Sequence, residues 1–309
     1  MTPLPIGIQD LADATVLSMT DDRTPRWPAM TVEERTIQYS PSFMLDGPLD
    51  PYLEAYAARS ADGRADAPVL RTLRYGDRPA NTVDLALPLE ADTGTAPLHV
   101  YIHGGYWRQL SKKDSFFLAP ACLHRGEALA AVDYTLAPEA SLDEIVDECC
   151  SALRGLRAEA ESGRLPIDPG RITVSGSSAG AHLTAMAACR LPADQRPASV
   201  VLVSGIFDLE PLIATYINEP LNLDVTAAHR NSPSRHDLDG FPPTVVAWGD
   251  NETDEFKRQS RMFVDRIQAA GGRATEVEVP GRNHFDVVFD IVPDLTDRLP
   301  DQQPDSPPR

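Results

Sequence analysis

Gly176-Ser177-Ser178-Ala179-Gly180 is the stretch of sequence that decides the fold. The run before it, Arg171 to Ser175, is short and rich in β-branched residues, which predicts a buried strand. The run after it, 179–190 (AGAHLTAMAACR), is rich in Ala, Leu and Met and predicts a helix. A Gly-x-Ser-x-Gly turn between a strand and a helix holds the serine hydroxyl clear of the sheet, at the positive end of the helix. Ser178 is therefore the candidate nucleophile.

A second glycine motif lies upstream, where a strand predicted over 98–103 runs into the residues HGGYW at 103–107. Glycine leaves backbone N–H groups bare, and such groups can hold the oxyanion of an acyl-transfer reaction. We expect Gly104 and Gly105 to be donors, together with Ala179, which follows the candidate nucleophile. One such donor lowers the barrier by about 3–4 kcal/mol. His103 is expected to shape this loop rather than to react.

The acid and the base of a catalytic triad are expected further along the chain. A strand over 244–249 is followed by Asp250 and Glu252, and a strand over 275–279 is followed by His284. Nucleophile, acid and then histidine is the order that this kind of site requires. An imidazole with a pKa near 6.5 can accept the serine proton and return it to the leaving group. Either Asp250 or Glu252 can orient His284, and the residue pattern leaves both open.

The alternation of predicted elements indicates an α/β fold with a mostly parallel sheet. Strands are predicted over 69–75, 82–87, 98–103, 127–133, 171–177, 199–205, 244–249 and 275–279. Helices are predicted over 113–124, 142–160, 179–190, 254–270 and 285–292. In such a sheet the catalytic residues lie at the carboxyl ends of the strands. His182, on the helix after Ser178, is expected to be packed or hydrogen-bonded.

Three segments lie outside this pattern. Residues 1–68 are expected to form an arm packed on the core or over the mouth of the pocket, and the core domain is placed at 69–292. Within that domain, 206–243 has the position of a cap-like insertion. Residues 293–309 are rich in Pro and Asp and have little apolar surface to bury, so a disordered tail is expected.

Composition limits the partners. The net charge of −18 argues against nucleic acid and against an anionic membrane. No apolar run is long enough to span a bilayer, and no basic-then-apolar leader is present. Four cysteines offer neither a metal-binding spacing nor a disulfide framework, which favours packed thiols in a reducing cytoplasm. The sequence allows a homodimer.

The motifs together resemble one family. HGGYW at 103–107, GSSAGAHL at 176–183, GDNETDEFKRQS at 249–260 and GRNHFD at 281–286 are similar to the kynurenine formamidase (arylformamidase) branch of the α/β-hydrolases. The likeness covers roughly residues 70–290. It implies the eight-stranded hydrolase fold, no metal or organic cofactor, and hydrolysis of N-formylkynurenine to kynurenine and formate.

The resemblance also assigns roles by motif position. Ser178 would be the nucleophile and His284 the base. Members of the family carry an acid three residues after the glycine that ends the strand, which selects Glu252 here, although some members have Asp at that position. The oxyanion hole would map to Gly104, Gly105 and Ala179.

A second likeness is to carboxylesterases related to hormone-sensitive lipase. The residues DYTLAPE at 133–139 are similar to a segment of those enzymes. They often carry a third glycine where this chain has Tyr106, which favours the formamidase branch. A short-chain carboxylesterase and a tailoring esterase or acyl-transfer hydrolase of a biosynthetic pathway stay as alternatives. A ligand-binding protein on a hydrolase scaffold is disfavoured because every catalytic part is present.

The expected substrate is a small aromatic formamide or ester. A formyl group needs almost no acyl pocket, whereas the aromatic leaving group needs a flat apolar slot. Tyr106 and Trp107 are candidates for that slot, and both also suit the core. Arg108 could meet a substrate carboxylate or stand exposed without a role.

Overall fold

The computed structural model describes residues 26–89 and 96–300, and in them the chain forms one eight-stranded sheet. The strands are β1 (Val69–Arg74), β2 (Thr82–Leu87), β3 (Ala96–Ile102), β4 (Ala128–Val132), β5 (Ile167–Ser177), β6 (Ser199–Val203), β7 (Thr244–Asn251) and β8 (Ala274–Asn283). Their spatial order is β1-β2-β4-β3-β5-β6-β7-β8. The β1–β2 and β2–β4 pairs are antiparallel, and every other pair is parallel. The predicted fold class and all eight strands are confirmed, with shifts of a few residues at the ends.

Helices cover both faces of the sheet. They are α1 (Val32–Gln38), α2 (Asp50–Asp66), α3 (Ala119–His124), α4 (Leu142–Glu161), α5 (Ala179–Arg190), α6 (Val225–Arg230) and α7 (Asp254–Ala269). Alternate residues of the strands face opposite sides. Val100 and Ile102 therefore join a core with α4, α5 and α7, whereas Tyr101 joins a core with α2 and α3. Burial on both faces explains why the central strands are almost wholly apolar.

Two helix predictions are wrong in detail. The segment 113–124 is two 3₁₀ turns, Lys112–Asp114 and Phe116–Leu118, before the short helix α3. Pro120 in its first turn explains this, because the proline ring would clash with the carbonyl four residues earlier if the helix began further upstream. The segment 285–292 is a 3₁₀ turn over Val287–Asp290 that leads into a single π-helical turn over Ile291–Leu295. Its β-branched residues form helices poorly.

The segments outside the sheet pack on it. The described part of the N-terminal arm, from residue 26, buries Tyr39 and Tyr56 completely or nearly so. The segment 206–243 consists of short turns and α6, and it buries Leu212 and Ile217. The packed chain continues past the boundary placed at 293, since Leu295 is buried and Asp297 pairs with Arg125. Residues 1–25 and 301–309 lie outside the described residues.

The four cysteines are free thiols, and three of them are buried. None of the described helices is both long enough and apolar enough to cross a bilayer.

Candidate active site

Ser178 stands at a strained turn between β5 and α5. Its backbone has φ 56° and ψ −121°, a left-handed conformation that non-glycine residues rarely adopt. A Cβ on Gly176 would lie 2.2 Å from the carbonyl oxygen of Gly180, and a Cβ on Gly180 would lie 2.0 Å from that of Ile102. Only glycine fits either position, which explains both glycines of the motif. The turn is held by a 2.8 Å hydrogen bond from the Ser178 N–H to the Val203 carbonyl.

The loop after β3 lies directly against this turn. A Cβ on Gly104 would lie 2.8 Å from the Ser177 carbonyl oxygen and 3.4 Å from the Ser178 Cβ. Gly104 and Gly105 line the same cavity as Ser178. In the described part of the chain, no hydrogen-bond acceptor is found for the backbone N–H groups of Gly104, Gly105 and Ala179. The three predicted donors therefore lie around Ser178 with their N–H groups unused.

His284 and Glu252 form a buried pair at the ends of β8 and β7. The His284 Nδ1 lies 2.8 Å from the Glu252 Oε2, and the two residues are 5% and 3% exposed. The other carboxylate oxygen, Oε1, accepts hydrogen bonds from the Ser204 hydroxyl at 2.5 Å and the Gly249 N–H at 2.7 Å. Three donors thus fix the carboxylate, and the carboxylate in turn fixes the imidazole ring. Ser204, which follows β6, was not identified from the sequence.

Asp250, the alternative acid, does not approach the imidazole. Its side chain is exposed, and its carbonyl oxygen accepts a 2.5 Å hydrogen bond from the Lys257 ammonium group. Residues two apart on a strand lie on the same face, so strand alternation does not separate these two acids. Glu252 lies just beyond the end of β7, and its hydrogen bonds with Ser204, Gly249 and His284 draw it into the site. The geometry favours Glu252 as the orienting acid.

Ser178 and His284 line one cavity of about 260 Å³. No hydrogen bond joins their side chains, and the His284 Nε2 has no partner among the described residues. Such contacts are often long in an empty site and tighten when substrate binds. The bond from Nδ1 to Glu252 leaves Nε2 as the nitrogen available for the serine proton.

The N-terminal arm holds the loop that carries His284. The Tyr56 hydroxyl donates to the Phe285 carbonyl, and the Asn283 side-chain amide donates to the Tyr52 hydroxyl at 2.9 Å. The Phe256 ring packs on the imidazole with ring centroids 4.6 Å apart. More than two hundred residues separate the arm from this loop, so no local pattern in the sequence could have indicated the contact.

The wall of the cavity combines aromatic and apolar side chains with polar ones. Its lining residues include Ser40, Pro41, Ser42, Leu49, Leu53, Tyr56, Tyr101, Tyr106, Arg108, Gln109, Leu110, Tyr216 and Phe285. Tyr106 lies in this wall as predicted, and its hydroxyl donates to the Tyr39 carbonyl. The arm and the segment 206–243 both contribute to the wall.

The prediction that Trp107 forms part of the substrate slot is wrong. Trp107 is fully buried and is absent from the residues that line the cavity. Its indole N–H donates to the His182 Nδ1 at 3.1 Å, and the His182 Nε2 donates to the Asn231 carbonyl at 2.7 Å. Successive positive φ angles at Tyr106 (51°) and Trp107 (59°) turn the second ring into the core. His182 is hydrogen-bonded in the core, as expected.

His103 shapes the loop after β3. Its Nδ1 donates to the Gly104 carbonyl at 2.9 Å, and its ring stacks on Tyr134 with centroids 4.2 Å apart. The Tyr134 hydroxyl donates back to the His103 carbonyl at 3.0 Å. These contacts orient the peptide groups beside Ser178.

One set of potential metal ligands is found among the described residues, away from the cavity. His99, Cys122 and Glu127 place their ligand atoms within 4.8 Å of one another. Glu127 already pairs with the Arg125 guanidinium at 3.2 Å, and burial raises the pKa of the Cys122 thiol. Burial lowers the pKa of His99 to about 4. A neutral thiol beside a paired carboxylate is a weak ligand set.

A serine on a strand–helix turn, with a histidine and a carboxylate at the ends of later strands of a mostly parallel sheet, is the arrangement found in hydrolases of the α/β-hydrolase fold. The family model for the alpha/beta hydrolase fold matches residues 99–287, and the chain belongs to that family. The protein is a hydrolase.

Particular relatives support the resemblance seen in the motifs. The chain is 30% identical to the kynurenine formamidase of Danio rerio and 31% identical to that of Salmo salar. Each alignment covers 85% of this chain and 92% of the relative. A solved structure of a proposed thioesterase from Silicibacter sp. TM1040 superposes with a TM-score of 0.74 at 30% identity, covering 84% of this chain and 94% of that one. The predicted resemblance is confirmed.

Proposed function

We propose that the protein hydrolyses N-formyl arylamides, with N-formylkynurenine as the substrate and kynurenine and formate as the products. The observation that carries this proposal is that His284, held by Glu252 behind it, lines one small cavity together with Ser178, Gly104 and Gly105. The choice of substrate is based on relatives named kynurenine formamidase, which are about 30% identical to this chain over most of its length.

In the proposed mechanism the Ser178 hydroxyl oxygen attacks the formyl carbon while the His284 Nε2 takes its proton. The N–H groups of Gly104, Gly105 and Ala179 donate to the oxyanion, where each donor lowers the barrier by about 3–4 kcal/mol. The carbon–nitrogen bond then breaks, and His284 protonates the departing arylamine. Water, deprotonated by the same imidazole, attacks the formyl ester on Ser178 and releases formate. Glu252 stabilises the imidazolium in both halves.

The cavity supports a small acyl group and an aromatic leaving group. Its volume of about 260 Å³ is close to the lower end of ligand sites, which run from roughly 300 to 1,000 Å³. Tyr101, Tyr106 and Phe285 offer flat apolar surface for a substrate ring. Such a space suits a formyl group on an aniline better than a long acyl chain.

The deciding experiment compares formate release from N-formylkynurenine with acetate release from phenyl acetate. We expect kcat/KM to be at least tenfold higher for the formamide. Ser178→Ala should lower kcat by about 10⁵-fold, as the loss of a triad nucleophile does. Ser162→Ala, on the exposed surface after α4, is the matched control and should keep full activity.

Two results would contradict the proposal. A tenfold or greater preference for phenyl acetate would make the protein a carboxylesterase. Retention of formamidase activity in the Ser178→Ala protein would contradict the assignment of Ser178 as the nucleophile.

A further inference from the structure

Of the described residues that line the cavity, Arg108 is the single lysine or arginine, and none is an aspartate or a glutamate. Its backbone N–H donates to the Gly105 carbonyl at 3.1 Å, so it follows directly on the loop beside Ser178. Its side chain is half-buried. The cavity therefore carries one fixed positive charge next to the reaction centre.

The guanidinium of Arg108 has no acidic partner among the described residues. It forms none of the ion pairs found among the described residues, whereas eleven other arginines do. Its neighbour is the Tyr216 ring, whose centroid lies 5.7 Å from the guanidinium carbon. Tyr216 is held in turn by a 3.1 Å hydrogen bond between its hydroxyl and that of Ser40. A cation stacked on an aromatic ring keeps its N–H donors free for a ligand.

We propose that Arg108 binds the carboxylate of the substrate and makes the enzyme selective for anionic aryl formamides. This inference rests on the proposed function. It identifies the residue that binds the part of the substrate remote from the formyl group. A guanidinium matches a carboxylate with two parallel N–H donors, which fixes orientation as well as charge. Tyr106, two residues before Arg108 in the same loop, lines the cavity and donates its hydroxyl to the Tyr39 carbonyl of the arm.

The positive charge of Arg108 acts on a bound anion at closer range than the net negative charge of the molecule. The chain carries a net charge of −18, which disfavours the approach of an anion. At physiological ionic strength the Debye length is about 8 Å, so charges outside the site are largely screened from a bound ligand. A cation within the cavity therefore attracts a bound carboxylate more strongly than the distant acidic surface repels it. Among the described residues that line the cavity none is a carboxylate, so they offer the ammonium of an amino-acid substrate only hydroxyl and amide oxygens.

The test measures both turnover and binding in the full-length protein. Turnover is formate release from N-formylkynurenine and from its decarboxylated analogue, N-formylkynuramine. Binding is the calorimetric Kd for kynurenine and for kynuramine, which needs no catalysis. Three variants are compared with the wild type. Arg108→Gln removes the positive charge, and Arg108→Lys keeps the charge without the two parallel N–H donors of the guanidinium. Arg154→Gln removes a positive charge elsewhere. Arg154 is an exposed arginine on α4 and is the matched control.

We expect the wild type to prefer the carboxylate-bearing compound by about 10- to 100-fold in kcat/KM and in Kd, the range of a charge-assisted hydrogen bond. Arg108→Gln should abolish most of that preference, Arg108→Lys should keep part of it, and Arg154→Gln should keep all of it. A wild type that treats the two compounds alike would overturn the inference. An equal loss on both compounds in the Arg108→Gln protein would overturn it as well.

The two proposals fail separately. If both formamides release formate with the same kcat/KM, the formamidase function is supported and the proposed role of Arg108 is contradicted. If neither formamide is cleaved but kynurenine binds and Arg108→Gln weakens that binding, the formamidase function is contradicted and the carboxylate site is supported. If kynurenine does not bind more tightly than kynuramine, the carboxylate site falls in either case.

Discussion

At the scale of single residues, the site depends on which of two neighbouring carboxylates is turned inward. Glu252 is buried because Ser204 and the Gly249 N–H hold one of its oxygens while His284 holds the other. Asp250 has no such donors and stands in solvent. A difference of two residues along the chain therefore separates a positioned acid from a surface charge.

This arrangement predicts opposite outcomes for two matched variants. Glu252→Gln should lower kcat by roughly 10³- to 10⁴-fold, because a neutral amide neither stabilises the imidazolium nor selects the correct tautomer. Asp250→Asn should change kcat less than twofold, since its side chain contacts nothing in the site. Steady-state kinetics on the formamide, with circular dichroism to verify folding, would measure both. If only the Asp250 variant were crippled, the assignment of the acid would be reversed.

At the scale of elements, α7 fastens the N-terminal arm to the sheet through a buried polar network. Glu255 and Arg258 form an ion pair at 2.8 Å with almost no exposure. The Tyr39 hydroxyl donates to the Glu255 carboxylate at 2.9 Å and accepts from the Gln259 amide at 2.8 Å. Gln259 also accepts from the Phe207 N–H at 2.6 Å. Glu255 lies in the first turn of α7, and its bond to Tyr39 joins the arm to the core.

Breaking this ion pair should destabilise the whole domain. Glu255→Gln leaves the Arg258 guanidinium buried without a counter-charge, a loss of about 3–5 kcal/mol in the free energy of unfolding. Glu33→Gln, on the exposed side of α1, is the control and should change stability by less than about 0.5 kcal/mol. Urea unfolding followed by tryptophan fluorescence gives both values. A loss below about 1 kcal/mol would mean that the network contributes little.

At the scale of the whole molecule, buried neutral histidines link stability to pH. Burial lowers the pKa of both His99 and His182 to about 4, whereas an unfolded histidine has a pKa near 6.5. His99 is hydrogen-bonded to Ser175 on a neighbouring strand of the sheet. His182 is hydrogen-bonded to Trp107 on one side and to the Asn231 carbonyl on the other. Below pH 6.5 the unfolded chain binds protons that the folded chain does not, so the stability contributed above pH 6.5 is lost as the pH falls towards 4.

The expected size follows from the same linkage. Between pH 7 and pH 5 each of these histidines should lower the free energy of unfolding by about 2 kcal/mol. His182→Gln supplies an acceptor and a donor without a titrating ring, so its unfolding free energy should change by about 2 kcal/mol less over that range than the wild-type value does. Urea titrations at both pH values measure the difference. An unchanged pH dependence in the variant would show that His182 is protonated in the folded protein.

The sequence by itself determined the order of the elements and the main candidates of the site. Strand and helix patterns and the glycines of the turn at Ser178 are local properties, because they depend on neighbouring residues and on backbone clashes over a few positions. The loop at Gly104 and the position of His284 follow from the same chain order, which leaves Asp250 and Glu252 both open as the acid. These are the features that a reading along the chain can recover.

The tertiary structure alone decided which side chains reach the cavity. Trp107 and Tyr106 are adjacent in sequence, yet one lies in the core and the other in the wall. Tyr39 meets Glu255, and Tyr56 meets the loop of His284, across more than two hundred residues. Such contacts arise when distant elements pack and buried polar atoms must find partners, a requirement that no local window of sequence contains.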